Sequence, residues 1–424
     1  MGSQAMVKSE NYDVLVVGAG MIGAAIACAM GLKGIRVAVF DRALPSAFEP
    51  DQLPDLRVSA LSYASEQILK NLGAWPYMEA MRMCPYRRMA VWEKLHFPPG
   101  RELDKRPNQT VFNAADIQHS QLGFIVENRV TQLGLLKRLE EIESVSVFAP
   151  ATIASMNFKG DTPEVVLDDG RKFSADLLIG ADGAQSRVRS QANIRLNTRE
   201  YEQQCLVATV EIEGGLQDIT WQAFTATGPE AFLPLPDING KSYASIVWYN
   251  LPENVQKLMK LSDSEFLEEL STTFPKELPP LVKLHERGFF PLARRHAMNY
   301  FTNGVVLAGD SAHTINPLAG QGVNLGFQDV AWLSEILINA FQAGEAPGSQ
   351  DVLMRYEKAR RRDNQLMMSA MDAFYHVFSN DSAPLKVLRN MALGIAGKST
   401  PAVKEVMKFA MGISGQQAEL AKRH

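Results

Sequence analysis

The sequence predicts an α/β protein in which a unit built from βαβ elements is interleaved with an antiparallel sheet and followed by a C-terminal helical region. Three observations carry this expectation. An apolar strand runs into a glycine turn near the N-terminus, two later strands end in a similar small-residue-and-acid turn, and alternating strand-like runs lie between them. A chain of 424 residues is longer than one small core usually supports, which fits two packed domains.

The first junction is Tyr12-Asp-Val-Leu-Val-Val-Gly18-Ala-Gly20-Met-Ile-Gly23. Gly18, Gly20 and Gly23 have G-x-G-x-x-G spacing, which lets the backbone turn tightly, approach a pyrophosphate and pack the next helix on the strand. Glycine triplets also occur in ordinary turns, so the flanks decide. The apolar run Val14 to Val17 precedes the turn, and the alanine-rich, helix-compatible stretch Met21 to Leu32 follows it. A second apolar run, Val37 to Phe40, then ends on Asp41, placed to bond a ribose hydroxyl. The phosphate is expected on the helix N-terminus, where free N–H groups and the dipole favour an anion. Taken alone, this unit leaves FAD and NAD undecided.

Arg42 to Pro54, with three prolines, reads as a loop. Arg57 emerges from it ahead of a helix-like stretch, Ala64 to Leu72. By position it reaches either a phosphate or flavin edge or, more commonly for a single arginine, a surface ion pair. From Pro85 to Val126 the pattern shifts to short alternating runs, Met89 to Glu93, Thr110 to Phe112 and Gly123 to Val126, which predict strands of a smaller antiparallel sheet. A helix over Val130 to Ile142 carries a stripe of Leu133, Leu136 and Leu139. Strands Val145 to Phe148 and Val165 to Leu167 follow, and Asp168-Asp-Gly170 is a hairpin turn.

The second junction is Asp176-Leu-Leu-Ile-Gly180-Ala-Asp182-Gly183, leading on to Ser186 and Arg189. Strand-like alternation returns at Leu206 to Ile212, Thr220 to Thr225, Ala231 to Pro234 and Tyr243 to Tyr249, so the chain visits the second sheet twice. The third junction, Gly304 through Gly309-Asp310 and His313 to Pro317-Leu-Ala-Gly320-Gln-Gly322-Val-Asn324-Leu-Gly326, repeats the pattern and leads into a helix starting near Val323. Such turns expose backbone N–H groups to a ligand at little steric cost. His313, in an Ala-His-Thr turn, reads as a satisfied structural histidine before a catalytic one.

From Gln328 the pattern is helical to the end, with breaks at 344–348, 379–384 and 397–401. Residues 384–424 carry seven Lys or Arg against two Asp or Glu, although the whole chain is −4. Leu385, Leu388, Met391 and Ile395 share one face there, as do Val403, Val406, Met407 and Ala410 beyond Pro401. The tail is either a helical pair docked on the core or a membrane-surface element. An ordinary charge balance gives no sign of nucleic-acid binding. Cys28, Cys84 and Cys205 are scattered, without C-x-x-C or a histidine cluster, so neither a metal nor a disulfide framework is expected and a reducing cytoplasm fits. No transmembrane helix is expected, and residues 1–6 read as a cloning remnant rather than a signal.

Together the three junctions resemble the p-hydroxybenzoate hydroxylase-like FAD monooxygenases. Gly18 to Gly23 with Asp41 is similar to their dinucleotide motif, Gly180-Ala-Asp182-Gly183 to their Asp-Gly motif and Gly309-Asp310 to their Gly-Asp motif. Within that family, Asp55-Leu-Arg57-Val-Ser59-Ala-Leu, Ile125-Val-Glu127-Asn128, Ala231-Phe-Leu-Pro-Leu235 and His313 to Gly326 resemble the ubiquinone-biosynthesis hydroxylases. Met81 to Arg88 and Trp248-Tyr249 further resemble the branch acting on a polyprenyl 3-methyl-6-methoxy-1,4-benzoquinol.

The resemblance implies a Rossmann-like FAD-binding domain in three pieces (7–84, 127–189 and 297–345), a substrate domain (85–126 and 190–296) and a C-terminal helical region (346–424). It implies that Gly18, Gly20, Gly23 and Asp41 hold the pyrophosphate and adenosine ribose. Arg57, Ser59, Arg129, Asp182 and Asp310 are implied as further contacts at or near the cofactor, and Pro317, Gly320, Gly322 and Asn324 as the loop along the isoalloxazine. The single complete G-x-G-x-x-G agrees with an NAD(P)H donor that has no Rossmann domain of its own.

The implied reaction is ring hydroxylation of a polyprenyl benzoquinol through O₂ and a flavin C4a-hydroperoxide. No catalytic base is assigned. Substrate-pocket candidates are Trp221, Phe224, Phe232, Pro234, Trp248 and Pro317, each aromatic being equally at home in a packed core. The alternatives are hydroxylation at another ring position of the same pathway, FAD-dependent reduction of a polyprenyl chain and a non-catalytic quinone-binding scaffold. The expected location is the cytoplasm, peripheral on the inner membrane, with other ubiquinone-biosynthesis proteins as partners through 384–424.

Overall fold

The computed structural model describes residues 9–94, 109–158, 160, 162–275, 277–315, 322–378, 405, 407–408 and 411–423. Its helices are α1 (Met21–Gly31), α2 (Tyr63–Asn71), α3 (Trp75–Met81), α4 (Asn128–Leu139), α5 (Arg187–Gln191), α6 (Pro252–Lys260), α7 (Asp263–Thr273), α8 (Gly322–Ala343) and α9 (Gln350–Phe378).

The first βαβ unit forms as expected. Val14–Val17 and Val37–Phe40 are wholly buried and pair in parallel, as unbroken apolar runs require of strands covered on both faces. Leu177–Gly180 pairs with the other edge of Val14–Val17, and Val305–Leu307 pairs beyond it. The full order is Phe301–Thr302, Val305–Leu307, Leu177–Gly180, Val14–Val17, Val37–Phe40 and Val145–Phe148. The chain therefore builds outward from Val14–Val17 to one side and returns to the other. That leaves a switch point between Val17 and Gly180, where open α/β sheets bind ligands.

The second sheet has eight strands, ordered His313–Thr314, Leu281–Ala297, Leu196–Ile212, Lys241–Asn250, Gly228–Ile238, Ile219–Thr225, Arg88–Glu93 and Thr110–Asn113. It is antiparallel except where Ile219–Thr225 runs parallel to Arg88–Glu93. The strands expected between residues 85 and 126 do not stay together. Arg88–Glu93 and Thr110–Asn113 join this sheet, whereas Gly123–Glu127 pairs with Val58–Ser62 and Cys84–Tyr86 in a three-stranded sheet of its own. Gly123 permits that pairing, because a Cβ there would lie 2.3 Å from the Leu61 carbonyl oxygen.

No element is predicted between Tyr249 and Gly304, yet α6, α7 and the seventeen-residue strand Leu281–Ala297 occupy it. The start of α7 was legible: Ser262 and Glu265 form a capping box. In α4, Leu133 is only half-buried, and the core face runs through Val130, Gly134, Leu135 and Leu139. Three-residue spacing drifts round a helix of 3.6 residues per turn, so Leu133 falls off the stripe.

The described part of the C-terminal tail is docked. Met407 and Met411 are buried against Phe224, Phe112 and Leu122, and Ala418 and Ala421 enter the main core. Ala64 N–H donates to the Met411 carbonyl at 3.1 Å, and Asn71 Nδ2 donates to the carbonyls of Leu420 and Lys422. Leu385, Leu388, Met391, Ile395, Val403, Val406 and Ala410 lie outside the described residues. No helix among the described residues is long and apolar enough to cross a membrane.

Met411→Ala should destabilise the protein by about 2–5 kcal/mol, the usual cost of emptying a buried methionine site. Chemical denaturation measures it, and a change within about 0.5 kcal/mol would mean that the tail is not held against the core.

Candidate functional site

The parallel register sets Val17, Gly180 and Leu307 side by side at the carboxyl ends of three adjacent strands, so the three glycine-and-acid turns converge. The glycines of the first turn divide the work. Gly18 adopts φ +107°, and a Cβ there would come within 2.4 Å of the Ala181 carbonyl oxygen. At Gly23 a Cβ would meet the Gly18 carbonyl oxygen at 1.9 Å, so that glycine lets α1 close onto the turn. Gly20 is different: its φ of −66° suits any residue, and a Cβ would meet no atom of the described residues within 4 Å. It faces the open side of the cradle, at the N-terminus of α1.

Asp41 stands at the rim. One of its oxygens accepts from Ala19 N–H at 2.7 Å and the other from Ala43 N–H at 3.2 Å, while Gln132 Nε2 donates to the Ala19 carbonyl. In the second turn the Asp182 carboxylate is taken up within the protein. It accepts from Arg187 N–H at 2.7 Å, Val188 N–H at 3.1 Å and the hydroxyls of Ser186 and Ser311. Gly183, at φ +80°, donates its N–H to Ser311 Oγ. Asp182 thus caps α5 and ties the second turn to the third.

The third turn rests on a buried polar network centred on Asp329 of α8, which has no exposed surface. Its Oδ2 accepts from Gly309 N–H at 3.0 Å and lies 2.5 Å from His313 Nε2, and its Oδ1 accepts from Arg360 Nε at 2.8 Å. Arg360 also donates to Asn364, Asn364 to the Tyr300 hydroxyl, and that hydroxyl bonds His296 Nε2 at 2.8 Å. Burial alone would raise the Asp329 pKa, but the charges of His313 and Arg360 hold it well below the usual carboxylate range. His313 is accordingly a structural partner of Asp329.

Asp310 has an accessible side chain, although protein surrounds it on most sides, as at the floor of a cleft. That crowding raises its pKa against the pull of His313, Arg57 and Arg295. Arg57 is therefore exposed and close enough to act on Asp310. Arg295 also acts on Arg189, whose Nη1 donates to the Ser311 carbonyl. Arg57 and Arg295 thus stand within electrostatic reach of Asp310, and Arg189 holds the carbonyl of the next residue.

The other expected site residues have varied placements. Ser59 donates to Asn128 Oδ1, and Arg129 pairs with Asp55 at 2.9 Å while donating to Ser46 and Ala47, so it anchors the 42–54 loop. Asn324 is buried and used by its neighbours: Oδ1 accepts from Ser62 N–H and Ser65 Oγ, and Nδ2 donates to the Ala60 carbonyl. Gly322 opens α8, with no atom of the described residues within 4 Å of where its Cβ would be. Pro317 and Gly320 lie outside the described residues.

The aromatic pocket expectation needs correction. Strand alternation carries Trp221, Phe232, Pro234 and Trp248 to one face of the eight-stranded sheet. Phe232 and Trp248 there form a core with Val255, Leu258, Phe266 and Leu270 of α6 and α7. Only Phe224 points to the opposite face, toward α2 and the tail. Sequence inspection also missed Gln132, Arg189, Arg295, Ser311 and the Asp329 network. Ser311 sits beside Asp310, but nothing local marks Asp329 or Arg360 as buried.

An open groove on the outer side of α9, lined by Asn299, Phe301, Met354, Arg361 and Arg362, contains none of the three turns. The residues at the turns do fit a dinucleotide: an open Gly20 edge at a helix N-terminus, Asp41 at the rim and two arginines within electrostatic reach of Asp310.

The sequence profile of the FAD binding domain matches residues 11–370. The 3-demethoxyubiquinol 3-hydroxylase of Escherichia coli (strain K12) is 40% identical across 96% of this chain and 100% of that protein. The mitochondrial ubiquinone biosynthesis monooxygenase COQ6 of Xenopus tropicalis is 32% identical across 94% of this chain and 93% of that protein. The crystal structure of p-nitrophenol 4-monooxygenase PnpA from Pseudomonas putida DLL-E4 superposes with a TM-score of 0.75 at 17% identity, covering 96% of this chain and 100% of that one, and so shares its fold.

Asp329→Asn takes the buried carboxylate from Arg360, which keeps only the exposed Asp363 at 3.7 Å, and should cost about 3 kcal/mol in denaturation. FAD affinity should fall with it, because the Gly309 turn loses its anchor. A second expectation concerns pH. His296 is held down at about 4, by burial first and then by repulsion from His313, Arg361 and Arg294, with Asp329 pulling the other way. The unfolded chain takes up this proton near pH 6.5, so the contribution is complete above about pH 6.5 and lost as the pH falls toward 4. The melting temperature should therefore drop more steeply between pH 7 and 4.5 in the native protein than in His296→Gln.

Proposed function

The chain belongs to the FAD-binding monooxygenases of ubiquinone biosynthesis, and from that premise we propose that it hydroxylates the aromatic ring of a polyprenyl benzoquinol, at the position that 3-demethoxyubiquinol 3-hydroxylase takes its name from. The observation that carries this reading is the full-length 40% identity, on a chain whose three turns meet at one switch point.

FAD, once reduced, supplies the activation of O₂ for ring hydroxylation. The protein binds, orients and excludes water. The α1 N-terminus at Gly20 receives the pyrophosphate, Asp41 the adenosine ribose, and the Asp310 cleft with Arg57 and Arg295 the phosphate and ribityl side of the cofactor. NAD(P)H is the electron donor, and the single glycine triplet supports its delivery without a second Rossmann unit. An electron-rich quinol ring is itself the nucleophile, so a protein base is an aid rather than a requirement. His313 does not serve as that base, being committed to Asp329.

A polyprenyl tail keeps the substrate in lipid, so the enzyme works at the membrane surface. The basic excess of 384–424 supports contact there with anionic lipid or with partner proteins.

Gly20→Val is the diagnostic substitution. Its backbone geometry tolerates a side chain and no atom of the described residues is in the way, so the protein should fold with an unchanged melting temperature while losing FAD, read as visible flavin absorbance of the purified protein. Retention of FAD would refute the placement of the pyrophosphate. With the native protein, NAD(P)H, O₂ and quinol, mass spectrometry should show a product heavier by one oxygen. A gain of two hydrogens would indicate a reductase, and binding without turnover a scaffold.

A further inference from the structure

Residues 42–57 join two parts of the candidate site. The segment starts beside Asp41 and ends at Arg57, which acts on Asp310. None of its residues lies in a helix or strand, so its course is set by the groups that grip it from outside. Two arginines supply the grip. Arg129 takes Asp55, Ser46 and Ala47. Arg82 takes the middle of the segment: Nη1 donates to the Gln52 carbonyl at 2.7 Å, Nη2 donates to the Leu53 carbonyl at 3.2 Å, and the guanidinium lies 5.0 Å from the centre of the Phe48 ring.

Arg82 is held in turn by Glu127. Its Nε and Nη2 face the two carboxylate oxygens, and Glu127 Oε2 also accepts from Asp55 N–H at 2.7 Å. Both side chains are buried, at 7% and 2% exposure. Beyond Asp55 the segment is fixed on both sides. Leu56 packs beside Gly288 of the second sheet, where a Cβ would lie 2.9 Å from Leu56 Cδ2, and the Arg57 carbonyl accepts from Asn128 N–H at 3.1 Å. The Arg57 side chain itself stays exposed. Arg82 belongs to the run Met81–Arg88, whose other arginines, Arg87 and Arg88, are exposed.

A buried ion pair gains little net stability over an apolar pair of the same size, because desolvation offsets the attraction. What this pair provides is geometry. A planar guanidinium meets a carboxylate along one edge while its remaining N–H groups reach two carbonyls, which a lysine ammonium cannot do at once. We propose that Arg82 is a positioning residue of the cofactor cleft: by gripping Glu127 and the carbonyls of Gln52 and Leu53 it fixes this segment so that Arg57 is presented to a phosphate of the dinucleotide. The inference rests on the FAD reading above, with Arg57 on the phosphate side.

The experiment compares the FAD-loaded native protein with Arg82→Lys, Arg57→Ala and the double variant. FAD release on dilution is read from the recovered fluorescence of free flavin, at low and high salt. Arg57→Ala should raise the Kd for FAD by about 10-fold, as for a lost hydrogen bond to a charged group, and Arg82→Lys by about 3- to 10-fold. Because Arg82 acts through Arg57, the double variant should stay within about 2-fold of Arg57→Ala. The rise of Kd with salt should be shallower than native in both single variants, since each loses the same contact between charges. A lower melting temperature of Arg82→Lys with native Kd and native salt dependence would overturn the proposal, as would single effects that multiply in the double variant. If Arg82→Lys does not fold, Phe48→Leu, which removes only the ring beneath the guanidinium, takes its place: a Kd raised about 2-fold, and not raised further in the Arg57→Ala background, supports the proposal, and a native Kd overturns it. If Arg57→Ala holds FAD as the native protein does, the placement of Arg57 fails and this inference with it. If Arg57→Ala weakens FAD and Arg82→Lys does not, only this inference fails.

Discussion

A buried carboxylate holds the cofactor side of this molecule together. Asp329 has no contact with solvent, and a charge in that position persists only if it is paired and fully hydrogen-bonded. Its partners come from the turn at Gly309, from His313 at the edge of the second sheet and from Arg360 on α9. Because the His313 strand pairs with the strand ending in His296, the same network reaches the second sheet. The geometry at Asp310 follows from it: a shifted turn would withdraw the Gly309 N–H from a carboxylate that is wholly buried.

Around that anchor, the switch point turns three ordinary strand ends into one site. Gly18 and Gly23 are required by the protein's own packing, since a side chain at either would strike a carbonyl oxygen. At Gly20 a side chain would strike nothing among the described residues. Asp182 shows the opposite pattern, an acid in a family-like motif whose oxygens are used by α5 and Ser311. Resemblance alone treats all of these as cofactor residues. Geometry separates a position left open, Gly20, from those whose atoms build the cradle, and the distinction matters for any mutational study of flavin binding.

The second sheet follows a similar division by face. One face, with Trp248 and Phe232, is sealed by α6 and α7 and behaves as a core. The other combines apolar packing with hydroxyls that have no partner among the described residues. Aromatic residues drew attention in the sequence because ligand pockets are rich in them, but cores are too.

The sequence by itself determined the first βαβ unit, the two later glycine-and-acid turns, the hairpin at Asp168–Gly170 and the start of the long helix near Val323. In each case a local rule, such as an apolar run, a glycine spacing or a turn dipeptide, acts within a dozen or so residues. Motif resemblance added the cofactor and the chemistry. Tertiary structure alone decided which sheet took Arg88–Glu93 and which took Gly123–Glu127, which face Trp248 occupies, and that His313, Asp329, Arg360, Asn364, Tyr300 and His296 form one network. Strand partners and buried ion pairs join residues tens to hundreds of positions apart. Their energies depend on desolvation, which only the folded chain creates.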